Sequence, residues 1–190
     1  MRTDYIDPKI FMSLLECLMP ENALVLRVME ATGMRITDCL QITRNEFFGM
    51  VGRGGAHSYT YKEQKTGKLR TVWIEPGLLS ELVERPDRGS PWLFPGRDPA
   101  KHRTRQAVWK DLHRTAKLWR VRGNRLKGVI GTHTARKVYA VELYRRKALQ
   151  GKLDPLACVK ADLNHSDSAV TFLYAMADEI SNSKNRQKSS

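Results

Sequence analysis

The sequence predicts a mainly helical α+β domain with a small antiparallel β-sheet or hairpin on one edge. Apolar residues recur at helical spacing through most of the chain, and one stretch, 59–74, is instead rich in β-branched and aromatic residues. A length of 190 residues suits one domain with its own core. We therefore predict one domain over residues 1–180 and a flexible polar C-terminal tail over 181–190.

Two helices are predicted at the N-terminal end. Asp7 and Pro8 form the pattern of an N-cap followed by a proline in the first turn, and Pro20 is expected to end this helix. Asn22 is expected to open the second helix, which Gly33 closes. The first 45 residues are therefore expected to be helical.

The stretch rich in β-branched residues is interrupted by Lys65-Thr66-Gly67-Lys68. A glycine at that position suits a turn residue with positive φ, so the pattern predicts a strand, a turn and a second strand. Beyond it, start signals predict further helices at Pro76, Thr104, Thr132, Asp154-Pro155, and Ser166 or Asp167.

The chain is strongly basic, with 33 Lys and Arg against 20 Asp and Glu and a formal net charge of +13. Such a charge, spread over the whole length, favours a polyanionic partner, although solubility alone is the alternative explanation. The three isolated cysteines suit reduced thiols. Because the sequence has neither a signal-peptide pattern nor an apolar stretch of about 18 residues, we predict a cytoplasmic protein.

Two arginines are each three residues from a polar partner. Arg35 and Asp38 follow Gly33 and would point to one side of a short helix, where the aspartate can orient the arginine. His133 and Arg136 lie one turn apart near a predicted helix start, where backbone N–H groups favour an anion. Taken singly, each pair is better explained structurally, Arg35 and Asp38 as a surface ion pair and His133 and Arg136 as a helix-entry histidine and a solvated charge.

A histidine and a tyrosine follow near the C-terminal end. His165 precedes the last predicted helix and Tyr174 lies inside it, so they can converge only if His165 is in the preceding loop. A tyrosine in such a helix is by itself more often a packed side chain. Together with two arginines, His133 and a lysine on a β-turn, however, these residues form a complete set for phosphoryl transfer without a metal.

The order and spacing of these motifs resemble the catalytic domain of the tyrosine recombinases of the phage integrase family. Residues 31–40 (ATGMRITDCL) look like the first arginine box, and Lys65-Thr66-Gly67-Lys68 is similar to the β-hairpin lysine motif. His133-Thr134-Ala135-Arg136 matches the HxxR box, and Leu163-Asn164-His165, followed by Tyr174, matches the terminal segment. The resemblance runs from about Asp7 to Asp178, with Asn164 where the family usually has glycine. We expect a catalytic domain without the N-terminal core-binding domain that clamps the other face of the DNA.

The resemblance implies a site-specific DNA recombinase in which Tyr174 attacks the scissile phosphate and forms a covalent 3′-phosphotyrosyl intermediate. Arg35 and Arg136 would bracket the non-bridging oxygens, and His165 would donate a further hydrogen bond. No cofactor, metal or ATP is expected.

The remaining roles are also implied by the resemblance. Lys65 would be the general acid for the 5′-oxygen, with Lys62 and Lys68 as open alternatives. His133 would assist proton removal from the tyrosine or hold the phosphate, and Asp38 would position its neighbours.

The resemblance further implies double-stranded DNA as partner, self-association as a dimer or tetramer on DNA, accessory DNA-bending proteins, and association with the nucleoid. The candidate DNA contacts are basic residues of the hairpin and of the long helix: Lys62, Lys68, Arg70, Arg103, Arg105, Lys110 and Arg114.

Three alternatives remain at this point. A type IB topoisomerase would use nearly the same residues. A DNA-binding regulatory module with weak catalysis is disfavoured, because all the expected polar residues of the site are present. A metal site built from His102, His133 and His165 is disfavoured, because neither their spacing nor a local carboxylate pattern supports it.

Overall fold

A computed structural model describes residues 3–51, 57–86, 88–121, 126, 129–163, 169–173 and 176. These residues form a mainly helical fold with one antiparallel hairpin, which confirms the predicted fold class. The elements are α1 (Pro8–Glu16), α2 (Pro20–Thr32), α3 (Ile36–Leu40), α4 (Arg44–Met50), β1 (Ser58–Lys62), β2 (Leu69–Trp73), α5 (Pro76–Val83), α6 (Arg105–Val121), α7 (Thr132–Leu149) and α8 (Pro155–Leu163). Residues 169–173 are helical as well.

The N-terminal helices follow their sequence signals with one correction. Asp7 caps α1, its Oδ1 accepting from the Lys9 N–H at 2.9 Å. Pro20 does not end α1 but occupies the first position of α2, where a missing N–H leaves no hydrogen bond unmade. Asn22 therefore lies within α2, buried, and donates to Asp111 Oδ2 at 2.8 Å.

The predicted strand-turn-strand unit is present. β1 and β2 pair antiparallel from Ser58 opposite Trp73 to Lys62 opposite Leu69. Gly67 closes the connection with φ of 68°, the left-handed conformation that the sequence predicted there. Lys65 lies in the turn between the two strands.

The start of α7 differs from its prediction. Thr132 is the first helical residue rather than the N-cap, and Gly131 takes the cap position. The hydroxyl of Thr134 does the capping by accepting from the Gly131 N–H at 3.2 Å. The predicted caps of α6 and α8 are confirmed: Thr104 Oγ1 accepts from Ala107 N at 3.1 Å, and Asp154 Oδ1 accepts from Ala157 N at 2.8 Å.

α7 lies between two apolar clusters. Its first half packs with α1 to α6 and the hairpin, and its second half packs with α8 and residues 169–173. This places the predicted HxxR segment against the end of α2 on one side and the end of α8 on the other. Within the described ranges, none of the helices is both long and apolar enough to cross a membrane. The predicted tail and the start of the last predicted helix lie outside those ranges.

Candidate active site

The end of α2 places Arg35. Gly33 is the C-cap of α2 with φ of 65°, and the chain turns there so that Arg35 becomes the N-cap of α3. The Arg35 side chain is buried, and its Nη1 lies 2.8 Å from Glu63 Oε1 and 3.9 Å from Asp38 Oδ2. The short helix expected after Gly33 is present, but the closer carboxylate partner of Arg35 comes from the hairpin.

Asp38 is buried beneath that arginine and also touches the hairpin. Its Oδ1 accepts from the Gln64 N–H at 3.0 Å. Burial raises the pKa of Asp38 above its usual value, although the Gln64 N–H and Arg35 both favour the ionised form. Asp38 therefore orients the turn that carries Lys65 as well as its own arginine.

Glu63 is the site residue that sequence reasoning missed. It is buried, and its Oε2 accepts from the Thr66 hydroxyl at 2.7 Å. Burial alone would raise its pKa, but the Thr66 hydrogen bond and the Arg35 ion pair outweigh burial and lower the pKa of Glu63. The available signal was a carboxylate at the end of a strand, two residues before a candidate lysine. The signal was weak because Arg35, the partner of Glu63, is 28 positions away. Lys65 itself is exposed in the turn.

Arg136 is buried almost completely, with 1% of its surface exposed. Its Nη1 donates to the Gly33 carbonyl, and its Nη2 donates to the Leu163 carbonyl at 3.1 Å. His133, one turn earlier, is exposed near the start of α7. The two residues predicted to share a face therefore lie at different depths, with the arginine fixed inside the fold.

Arg70 does not lie on the basic surface to which the sequence assigned it. Its terminal nitrogens donate to Gly33 O at 3.2 Å, Tyr61 Oη at 3.1 Å, Thr32 O at 2.8 Å and Asp162 Oδ2 at 2.8 Å. A guanidinium has four terminal N–H groups, and these four acceptors occupy all of them. The assignment of Arg70 as a DNA contact is therefore replaced by an internal one.

The other candidate DNA contacts are mostly accessible. Arg103 is half-buried and donates to Asn22 Oδ1 at 2.9 Å. The exposed members are Lys62, Lys68, Arg105, Lys110 and Arg114, the last of which also pairs with Asp111 at 2.8 Å. A cavity of about 490 Å³ lies between α6 and the start of α7, and Arg105, Trp109 and His133 are among its lining residues.

His165 and Tyr174 lie outside the described residues. Their neighbours are placed: Leu163 is fully buried at the end of α8, and Ala169, Val170 and Leu173 pack against the second half of α7. In the described part of the chain, no group of three His, Cys, Asp or Glu side chains is close enough to hold a metal ion.

Comparison with known proteins identifies the class. The model of the phage integrase family matches residues 8–179, and the chain belongs to that family. Among solved structures it is similar to the XerH site-specific recombinase in a post-cleavage complex with palindromic difH substrate, at 22% identity and a TM-score of 0.61 over 95% of this chain and 53% of XerH. The catalytic domain of bacteriophage HP1 integrase gives 23% identity and a TM-score of 0.54 over 92% of this chain and 88% of that domain.

A third similar structure is the Tn1549 transposon integrase, residues 82–397, in complex with circular intermediate DNA. It has 12% identity and a TM-score of 0.62 over 92% of this chain and 61% of that one. The fold is thus that of tyrosine recombinase catalytic domains, and the chain spans about half the length of the XerH protein. A comparison with curated protein sequences found no significant match.

Proposed function

We propose that this chain cleaves and rejoins DNA strands at a specific site through a covalent 3′-phosphotyrosyl intermediate on Tyr174. The observation that carries the proposal is the convergence at the end of α2: Arg136 donates to the Gly33 carbonyl, and Arg35 follows two residues later, fixed by Glu63. Two preorganised guanidinium groups are suited to a phosphorane-like transition state, whose charge concentrates on non-bridging oxygens.

The Tyr174 oxygen attacks the scissile phosphorus, the bond to the 5′-oxygen breaks, and the DNA retains its phosphodiester energy in the phosphotyrosine. Arg35 and Arg136 stabilise the charge on the non-bridging oxygens, and His165 donates a further hydrogen bond. Attack by a 5′-hydroxyl on the phosphotyrosine reverses these steps and joins a new strand end. Because one phosphodiester bond is exchanged for another at each step, the proposed reaction needs neither a metal ion nor a nucleotide.

Proton transfer falls to two exposed residues. Lys65, on a turn held from both sides by Glu63 and Asp38, protonates the leaving 5′-oxygen. His133, exposed at the start of α7 and beside the cavity that Arg105 also lines, receives the phenolic proton or holds the phosphate. Asp38 positions the lysine turn rather than meeting the substrate.

Double-stranded DNA is the proposed substrate. The net charge of +13 and the exposed basic residues of the hairpin and α6 support it, and the similar XerH and Tn1549 proteins were solved as DNA complexes. The basic residues would contact phosphates along the strand, and the reaction would take place on the nucleoid. We further propose that two or four copies assemble on the DNA, helped by DNA-bending proteins, and that residues 1–180 act as the catalytic domain, followed by a short polar tail.

The test is a nicked suicide substrate, from which the strand end diffuses away after cleavage and the covalent complex accumulates. The wild-type chain should form a DNA adduct that survives denaturing electrophoresis. Tyr174→Phe should form none while its DNA affinity stays within about threefold, because only the nucleophilic oxygen is lost. Tyr144→Phe, at a half-buried tyrosine of α7, is the matched control and should react normally.

An adduct with Tyr174→Phe would show that another residue is the nucleophile. Absence of any adduct with the wild-type chain, on DNA that it binds, would overturn the proposed reaction as a whole.

A further inference from the structure

Arg70 is bound inside the fold by hydrogen bonds from both of its terminal nitrogens. It is 9% exposed at the side chain, and its four terminal N–H groups meet three separate parts of the fold: the end of α2, the Tyr61 hydroxyl on β1, and Asp162 on α8. Burial lowers the pKa of Arg70, but Tyr61 and Asp162 outweigh burial and raise it above its usual value. An arginine keeps its charge in proteins, and the four hydrogen bonds fix this guanidinium in orientation.

These contacts close a ring that also contains Arg136. The Gly33 carbonyl accepts from both Arg70 and Arg136, and Arg136 donates in turn to the carbonyl of Leu163. Leu163 follows Asp162, which returns the ring to Arg70 at 2.8 Å. The ring thus joins the hairpin, the corner before Arg35, the HxxR helix and the residue two positions before His165.

Tyr139 braces the same ring from α7. The Tyr139 hydroxyl donates to Asp162 Oδ2 at 2.8 Å, and the aromatic ring of Tyr139 lies against Gly33. Burial first, and then Asp162, raise the pKa of Tyr139, so the phenol stays protonated as a donor. Asp162 consequently accepts from Arg70 and Tyr139 together, and neither side chain can move without breaking a partly buried charge-assisted bond.

We propose that Arg70 is a positioning residue of the active site, which fixes the direction of the Arg136 guanidinium through the shared Gly33 carbonyl and through the Asp162–Leu163 end of α8. It touches no substrate atom, because its terminal N–H groups are all used inside the protein. This inference rests on the proposed function only in assigning Arg136 to the phosphate. The ring is a property of the folded chain.

The planar fork of arginine is required for this task. Lysine would keep the positive charge but has one nitrogen, which cannot reach four acceptors lying on different sides. Arg70→Lys therefore separates geometry from charge. Arg27→Lys is the matched control, because Arg27 also pairs with a carboxylate, Glu81, but is partly exposed and outside the ring.

The first measurement is the single-turnover cleavage rate at saturating nicked DNA, with the DNA dissociation constant measured beside it. For Arg70→Lys we expect cleavage to fall by about 10- to 100-fold, the scale of a catalytic group displaced by a fraction of an ångström, while the dissociation constant changes less than about threefold. Arg27→Lys should change neither. An unchanged rate in folded Arg70→Lys, or a loss confined to DNA affinity, would overturn the proposal.

The second measurement tests whether Arg70 acts through Arg136. If it does, Arg70→Lys combined with Arg136→Lys should lose little more activity than Arg136→Lys alone. If the fold-losses of the two single variants multiply in the double variant, the two arginines act independently, and the proposal that Arg70 acts through Arg136 is refuted. If Arg70→Lys does not fold, Tyr139→Phe removes one bond to Asp162 without charge change and should give a smaller loss with the same pattern.

The third measurement needs no activity. In ¹⁵N-arginine spectra of the DNA-free protein, Arg136 should give separate, slowly exchanging Nη signals, and Arg70→Lys should average them. Slow signals that persist in Arg70→Lys would overturn the inference even if the enzyme cleaves DNA. If the signals average in Arg70→Lys but the wild-type chain forms no DNA adduct, the positioning role of Arg70 is supported and only the proposed function is refuted.

Discussion

Replacing Gly33 by alanine tests the turn after α2, because the Gly33 carbonyl accepts from both Arg70 and Arg136. Gly33 has φ of 65°, where an L-residue costs about 1–2 kcal/mol. An added Cβ would also lie 2.4 Å from Tyr139 Cδ1 and 2.5 Å from Cε1, far inside van der Waals contact. The Tyr139 ring cannot swing away freely, because its hydroxyl is bonded to Asp162.

Relieving that contact by shifting α7 or the ring is an overpacking problem, which costs about 1–3 kcal/mol. Added to the backbone term, it gives an expected destabilisation of about 2–5 kcal/mol for Gly33→Ala. Gly151→Ala supplies the backbone term alone, since Gly151 has φ of 70° and nothing lies within 4 Å of its added Cβ. That control should lose about 1–2 kcal/mol.

Urea denaturation of the two variants and the wild-type chain, followed by circular dichroism, measures both free energies of unfolding. The difference between the variants isolates the close approach of Tyr139 to the corner. Equal destabilisation of Gly33→Ala and Gly151→Ala would refute the reasoning, because it would mean that the corner has room for a methyl group. Folded Gly33→Ala should also cleave DNA more slowly than folded Gly151→Ala, since the carbonyl that holds Arg136 must move.

Glu63→Gln should slow single-turnover cleavage by about tenfold, because Arg35 and the Lys65 turn lose their common anchor, and Glu81→Gln should not; an equal or faster rate would contradict that role. Because the folded-state pKa of Glu63 is lowered, its stabilising contribution is complete above the ordinary pKa of glutamate and disappears as the pH falls through the lowered value. The stability gap between wild type and Glu63→Gln should therefore close on acidification, and a constant gap in urea titrations would refute this. Lys65→Ala should regain cleavage on a 5′-phosphorothiolate substrate, whose leaving group needs no proton; rescue of Lys62→Ala or Lys68→Ala instead would move the general acid. DNA affinity should fall steeply with salt, and a flat dependence would exclude the basic surface as the DNA-binding face. Lys110→Ala should reduce the slope of log affinity against log salt concentration by about 1.

Sequence signals predicted most of the element boundaries whose cause is local. The Asp7 cap, the Gly33 stop, the Gly67 turn and the Thr104 cap each depend on residues within a few positions, and each is present. The misplaced starts have equally local reasons. A proline either follows one helix or begins the next, and Pro20 does the second. Two threonines lie in the first turn of α7, and the second of them, Thr134, bonds the N–H of the cap residue Gly131.

The candidate site was predicted only as a set of residue types in order. The ion pair between Arg35 and Glu63, the internal role of Arg70 and the depth of Arg136 depend on contacts between residues 28, 92 and 103 positions apart, respectively. No spacing rule on one helix or strand encodes such contacts. In the sequence, Arg70 is one more basic residue in a basic hairpin. Its burial follows from the end of α8 lying beside β2, which the local sequence does not predict.

The end of α2 explains why arginines gather where they do. The last carbonyls of a helix have no intrahelical donor and carry the negative end of its dipole, so they need partners and favour positive ones. Here Thr32 and Gly33 receive donors from Arg70 and Arg136, and the left-handed Gly33 turns its carbonyl to reach both. For Arg136 both printed acceptors, the Gly33 and Leu163 carbonyls, are neutral, so they orient its guanidinium group without cancelling the charge that it would offer to a phosphate. The same feature that ends the helix therefore also positions Arg136, the proposed phosphate ligand, so a change at Gly33 should reduce both stability and the cleavage rate.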